Sequence, residues 1–89
     1  MAYPRKKDSV VLRELGTESM LYDPIGEKVV RLNSTARRIW ELCDGSNDIP
    51  VIAARIEDEF MVAPGANVVK DVAQIVGGFG AAGLLAEEA

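Results

Sequence analysis

The hydrophobic pattern changes period once, at Asn33, and that change limits the chain to one class of fold. Before it, β-forming residues come in short runs broken by turn residues; after it, apolar residues recur at helical spacing. Residues 10–15 are rich in β-formers and read as a first strand. Gly16-Thr17-Glu18-Ser19 connects it to a short second strand at Met20-Leu21-Tyr22. Asp23-Pro24-Ile25-Gly26 has the residues a type I turn favours: Pro24 presets φ, and the Asp23 side chain can bond nearby amides. Residues 28–32 form a third strand, whose alternation puts Val30 and Leu32 on one face and Val29 and Arg31 on the other. Short turns between the three strands predict an antiparallel meander. So small a sheet needs an apolar cover on one face.

The second part of the chain supplies that cover. Asn33 is a good N-cap, and Ala36, Ile39, Trp40 and Cys43 follow at i, i+3, i+4 and i+7. Asp44-Gly45 closes this helix, with Gly45 suited to a left-handed position. Asp48 caps a second helix, which tolerates Pro50 in its first turn and carries the stripe Ile52, Ala53, Ile56 and Phe60. After Pro64-Gly65 a third helix runs from about Ala66 into the seventies, with Val68, Val72, Ile75, Val76 and Phe79 on its main face. Gly77, Gly78 and Gly80 each cost about 1 kcal/mol against alanine, so its end should fray or kink unless something packs on it. The expected fold is α+β and winged-helix-like: a three-stranded antiparallel sheet followed by three helices.

Composition then removes whole classes of function. With 89 residues the chain makes one small domain, whose core contributes only a few kcal/mol net and leaves little room for a deep catalytic cavity. There is no histidine and one cysteine, Cys43, which excludes histidine-based triads, His/Cys zinc sites and an intrachain disulfide framework. The chain is therefore not expected to be an enzyme or to carry a cofactor. A lone thiol fits a reducing cytoplasm, and no apolar run is long enough for a membrane span or a secretory signal. The formal charge of -4 is uneven. Residues 1–43 hold eight basic and six acidic side chains, and residues 44–89 hold two and eight. The acidic part opposes nucleic-acid binding. Residues 1–9, with Arg5-Lys6-Lys7, read as a disordered basic tail, residues 10–85 as the domain, and residues 86–89 as an acidic C-terminal tail.

Few residues suggest chemistry. Gly78-Phe79-Gly80-Ala81-Ala82-Gly83 matches G-x-G-x-x-G literally, but it closes a helix instead of opening one after a strand, so no nucleotide site is expected. Cys43 and Trp40 lie on the apolar stripe of the first helix and read as core. Glu57-Asp58-Glu59 point in different directions around a helix and read as a solvated acidic face. The third strand is where function can sit. Its margin is either open to another extended chain or blocked by Lys28, Arg31 or the N-terminal tail, and the residues alone leave both readings standing.

The stretch Leu32-Asn33-Ser34-Thr35-Ala36-Arg37-Arg38-Ile39-Trp40-Glu41-Leu42-Cys43-Asp44-Gly45 resembles the hallmark of PqqD-like proteins. These comprise the peptide chaperone of pyrroloquinoline quinone biosynthesis and the wider set of RiPP recognition elements. The resemblance continues through Ile52-Ala53-Ala54-Arg55-Ile56, Asp71-Val72 and Gly83-Leu84-Leu85, covering about residues 10–85. It implies a non-catalytic protein that binds the leader of a ribosomally made precursor peptide and presents it to a modifying enzyme, often a radical SAM protein. The peptide would add as a strand to Val29, Val30, Arg31 and Leu32, with Val69, Val72, Ala73 and Val76 as the groove wall. The short connection between the second and third strands lacks the longer Arg/Trp-bearing pattern of the dedicated quinone-pathway protein, which favours a relative serving another peptide. No membrane or nucleic-acid partner is expected, and the protein would be a monomer or weak dimer. The competing reading is a winged-helix DNA-binding regulator, for which the third helix offers only Asn67, Lys70 and Gln74.

Overall fold

Three strands form where the sequence alternates. The computed structural model describes residues 3–86. Residues 1–2 and 87–89, including Glu87 and Glu88 of the expected acidic tail, lie outside the described residues. Strands β1 (Val11–Leu15), β2 (Glu18–Asp23) and β3 (Lys28–Leu32) make an antiparallel sheet in the order β1-β2-β3. Strand β2 exceeds its apolar triplet by three residues because it is laddered on both sides, from Val11↔Tyr22 to Leu15↔Glu18 and from Ser19↔Leu32 to Asp23↔Lys28. The rows of side chains follow from this register. Leu12, Leu21 and Val30 line up on the face turned to the core, whereas Val11, Tyr22 and Val29 line up on the opposite face and are exposed.

Local capping sets the helices. Helix α1 (Ser34–Leu42) begins where Asn33 Oδ1 accepts the Ala36 amide at 2.8 Å. Helix α2 (Ile49–Glu59) begins where Asp48 Oδ1 accepts the Val51 amide at 3.0 Å, with Pro50 in its first turn. Helix α3 (Val68–Ala81) is capped by Asn67, which accepts the Lys70 amide at 3.1 Å. The expected stripes are the buried ones: Ile39, Trp40 and Cys43 from α1 and the loop after it, Ile52, Ala53 and Ile56 from α2, and Val68, Val72, Val76 and Phe79 from α3. With Leu21 and Leu32 of the sheet they form one core.

Helix α3 stays helical through its glycines, and its far end shows why. Phe79 is buried against Trp40, edge to face, with ring centroids 5.3 Å apart. Beyond Ala81 the Leu84 amide donates to the Phe79 carbonyl at 2.9 Å and the Gly83 amide to the Gly80 carbonyl at 3.0 Å, with Gly83 at φ 75°. This is a Schellman cap, and Leu84, fully buried, makes its hydrophobic closure. The literal G-x-G-x-x-G string is thus a helix end.

Within the segment 1–9 expected as a disordered tail, residues 4–7 are paired through their backbone, and residues 1–2 lie outside the described residues. From Pro4 onward the described residues lie between the loop after α1 and the segment after α3. Lys6 N–H donates to Cys43 O at 2.9 Å, Lys7 N–H to Leu84 O at 3.1 Å, and Gly45 and Ala86 donate to Pro4 O and Arg5 O at 3.0 and 2.8 Å. The bonds use backbone groups, so the charges of Arg5, Lys6 and Lys7 do not prevent them. Gly45, at φ 86°, faces Arg5 so closely that a Cβ there would lie 3.2 Å from Arg5 Cδ.

Candidate functional site

Strand order makes β3 a margin. β2 occupies one side of it, and among the described residues no strand pairs with the other. The N-terminal segment, the alternative cover for this edge, makes its bridges instead to Asp44 and Leu85. A strand edge presents the N–H and C=O of alternate residues outward, a ready template for an extended chain.

The hairpin leading into β3 is held by a buried carboxylate. Asp23, 1% exposed, accepts from Ser9 Oγ and from the Ile25 amide, both at 3.1 Å to Oδ1. Its Oδ2 lacks a hydrogen bond of regular geometry but faces Lys7 Nζ at 3.8 Å. Burial pushes the Asp23 carboxyl up. The Ser9 hydroxyl, the Ile25 and Gly26 amides and the Lys7 charge together outweigh it and hold the group below its ordinary value. A Cβ on Gly26 would lie 3.0 Å from Asp23 Oδ2, so any side chain there would press on the carboxylate. The left-handed residue of the turn is Glu27, at φ 55°.

The predicted site residues fall into two groups. Val29 and Arg31 project from the outer face, with Val29 58% exposed and the Arg31 side chain 75% exposed. Arg31 has only a loose, solvated pairing with Glu18 at 3.9 Å. Val30 is half-buried and Leu32 buried, so they carry the edge into the core. On α3, Val69 and Ala73 are exposed together on one face, whereas Val72 and Val76 are buried in the core. No Cα of α3 lies within 8 Å of one in β3, so the helix leaves the edge uncovered.

The sequence reading missed an apolar cleft of about 300 Å³ between α1, the α2–α3 loop and α3. Thr35, Ile39, Phe60, Val62, Val72 and Ile75 line it. Thr35 is in the first turn of α1, three residues beyond the end of β3, so the cleft opens near that end of the edge. Its only sequence signal was the pair Met61-Val62, apolar residues in a loop.

Elsewhere the side chains are engaged in structure. Arg37 hydrogen-bonds Glu14 of β1 and, at 3.3 Å, Glu41. Arg38 grips Glu59 of α2 with two hydrogen bonds of 2.7 and 3.1 Å, and Arg55 adds a third contact at 3.3 Å. These pairs fix α1 against β1 and α2 and remove three arginines from any phosphate-binding face. Cys43 is fully buried, and desolvation pushes its thiol up to about 11, a value unsuited to a nucleophile. Among the described residues no group of His, Cys, Asp and Glu could hold a metal ion. No described helix is long and apolar enough to cross a membrane.

A meander whose β1 and β3 margins are both unpaired among the described residues, followed by three helices, defines an α+β fold of the winged-helix type. Comparison with known proteins gives it a family. Residues 18–85 match the family model for coenzyme PQQ synthesis protein D, and the chain belongs to that PqqD family. No curated protein sequence matches it. Among solved structures, TbiB1 in complex with the TbiA(beta) leader peptide is similar, with a TM-score of 0.77 and 22% identity over 96% of this chain and 98% of that one. That likeness shows the shared fold.

Proposed function

We propose that the protein is a peptide chaperone of ribosomal natural-product biosynthesis. It binds the leader of a precursor peptide by strand addition to β3 and presents it to a modifying enzyme, a radical SAM protein or a ligase. The observation that carries this reading is the unpaired β3 edge in a chain of the PqqD family. The fold shared with TbiB1, a protein solved with a leader peptide, supports it. The tying of Arg37, Arg38 and Arg55 into ion pairs speaks against the DNA-binding alternative.

Energetics divide the work of the site. Each added backbone hydrogen bond nets about 0.5–1.5 kcal/mol, and a five-residue strand offers only a few. Micromolar binding takes about 8 kcal/mol after association and ordering costs. Apolar leader side chains therefore contribute the rest, at roughly 1.5–3 kcal/mol for each one fully buried. The cleft beside Thr35 and Ile39 and the exposed face of Val69 and Ala73 are the surfaces that take them. Pairing with residues 29–32 orients the guest, and these contacts choose it.

The test is an NMR titration of the labelled protein with the leader segment of a candidate precursor peptide. Amide signals of residues 28–32 should shift first and furthest. Signals from those residues that stay in place while the leader binds would overturn strand addition.

A further inference from the structure

The register of the sheet carries information about the guest. In an antiparallel sheet, side chains directly opposite one another form rows across the strands, and each new strand extends those rows. Here the rows that end at the β3 margin are Asp23–Lys28, Val11–Tyr22–Val29, Leu12–Leu21–Val30, Arg13–Met20–Arg31 and Glu14–Ser19–Leu32, the last with its Glu14 carboxylate engaged by Arg37. Each has a chemical character at its open end. The Lys28 row ends in a cation, and among the described residues no carboxylate lies within ion-pair distance of it. Asp23, its partner in register, turns its carboxylate to Ser9, Ile25 and Lys7 instead. The Val29 row is apolar throughout and exposed. The Val30 and Leu32 rows run over the core. The Arg31 row holds Arg13 and Arg31 on either side of Met20, and the one carboxylate of β2 on this face, Glu18, meets Arg31 only loosely at 3.9 Å, so the face keeps a positive excess in a protein whose formal charge is -4.

We infer that the β3 margin selects a five-residue guest segment reading apolar–acidic–apolar–apolar–acidic from its N- to its C-terminus, laid antiparallel to Lys28–Leu32. The inference rests on the strand-addition reading above and goes beyond it by naming the peptide sequence class. The first and third residues lie opposite Leu32 and Val30 and face the core. The second lies opposite Arg31, the fourth opposite Val29 on the outer face, and the fifth opposite Lys28. Every existing neighbour pair of this sheet is antiparallel, and the same geometry continued outward gives this order. A parallel guest would need the reverse: acidic–apolar–apolar–acidic–apolar.

Short synthetic peptides test it with the intact protein. One carries Leu-Asp-Val-Ile-Glu between Gly-Ser flanks; a second carries the reverse order, Glu-Ile-Val-Asp-Leu; a third, Leu-Lys-Val-Ile-Lys, reverses the charges. The first should bind about fivefold to tenfold more tightly than the third, as cross-strand charge pairs of either sign predict. That preference should shrink as salt rises. The substitution Arg31→Glu, at an exposed position, should weaken the first peptide and strengthen one with lysine at the second place only, giving a non-zero coupling in the double-mutant cycle. Equal affinities, or a zero coupling, overturn the pattern; tighter binding of the reversed peptide overturns the orientation. The amide signals separate this failure from that of the broader reading. Peptides that move residues 28–32 without charge preference leave strand addition standing and sink the pattern, whereas peptides that leave those residues unmoved sink both.

Discussion

At the scale of single residues, Asp23 has the most at stake, because its carboxylate joins the N-terminal segment to the hairpin that delivers β3. Its folded pKa lies below the ordinary aspartate value. The ionised group therefore stabilises the fold at pH values above the ordinary value, and that stability is lost as pH falls through the folded value. Thermal melts from pH 7 down to pH 2 check the sign. The wild-type melting temperature should fall below about pH 4, and Asp23→Asn should be less stable at pH 7 with a flatter acid limb. Glu59 and Asp44, whose carboxyls are also lowered by hydrogen-bond partners, supply the slope that remains in the variant. The sequence gives part of this away: Asp-Pro-x-Gly announces a turn. It does not reveal that Ser9 and Lys7 converge on the carboxylate, because those contacts span residues fourteen or more positions apart, beyond any local pattern.

At the scale of elements, α3 contains glycines with opposite duties. Cβ atoms at Gly77 and Gly78 would meet nothing within 4 Å, so alanine at either should stabilise the helix by roughly 0.5–1 kcal/mol. Gly83 also has open space, but at φ 75° alanine there should cost about 1–2 kcal/mol by straining the Schellman cap. Urea unfolding of the three variants reads both signs, and a loss at Gly77 or a gain at Gly83 contradicts the account. Element by element, the sequence was informative where the chemistry is local. The caps Asn33 and Asp48 and the stripes of all three helices stand where their spacing placed them. Helix α3 outlasts its glycines because of Phe79 on Trp40 and the Leu84 closure, which are tertiary and so invisible to propensity. The same division holds for the site. The β3 margin is legible because a meander of three strands must end in one. The cleft is not, since Thr35, Phe60 and Val72 meet only after three helices have packed.

At the scale of the whole molecule, the chain closes on itself through a segment whose sequence argues for disorder. Arg5-Lys6-Lys7 has no apolar periodicity, yet its backbone bonds to the α1–α2 loop on one side and to the residues after α3 on the other. Backbone hydrogen bonds do not depend on the side chain, so composition misled here while steric access decided. Substitutions at one position separate the two readings. Lys6→Ala removes the charge and keeps the amide, and should change stability by less than about 0.5 kcal/mol. Lys6→Pro removes the amide that donates to Cys43 O at 2.9 Å. That leaves the Cys43 carbonyl without its partner, at a cost of roughly 1–3 kcal/mol. Two neutral substitutions in chemical denaturation would mean a solvated tail. A loss confined to proline means a segment paired through its backbone, which joins the α1–α2 loop to the residues after α3 and is engaged away from the β3 margin.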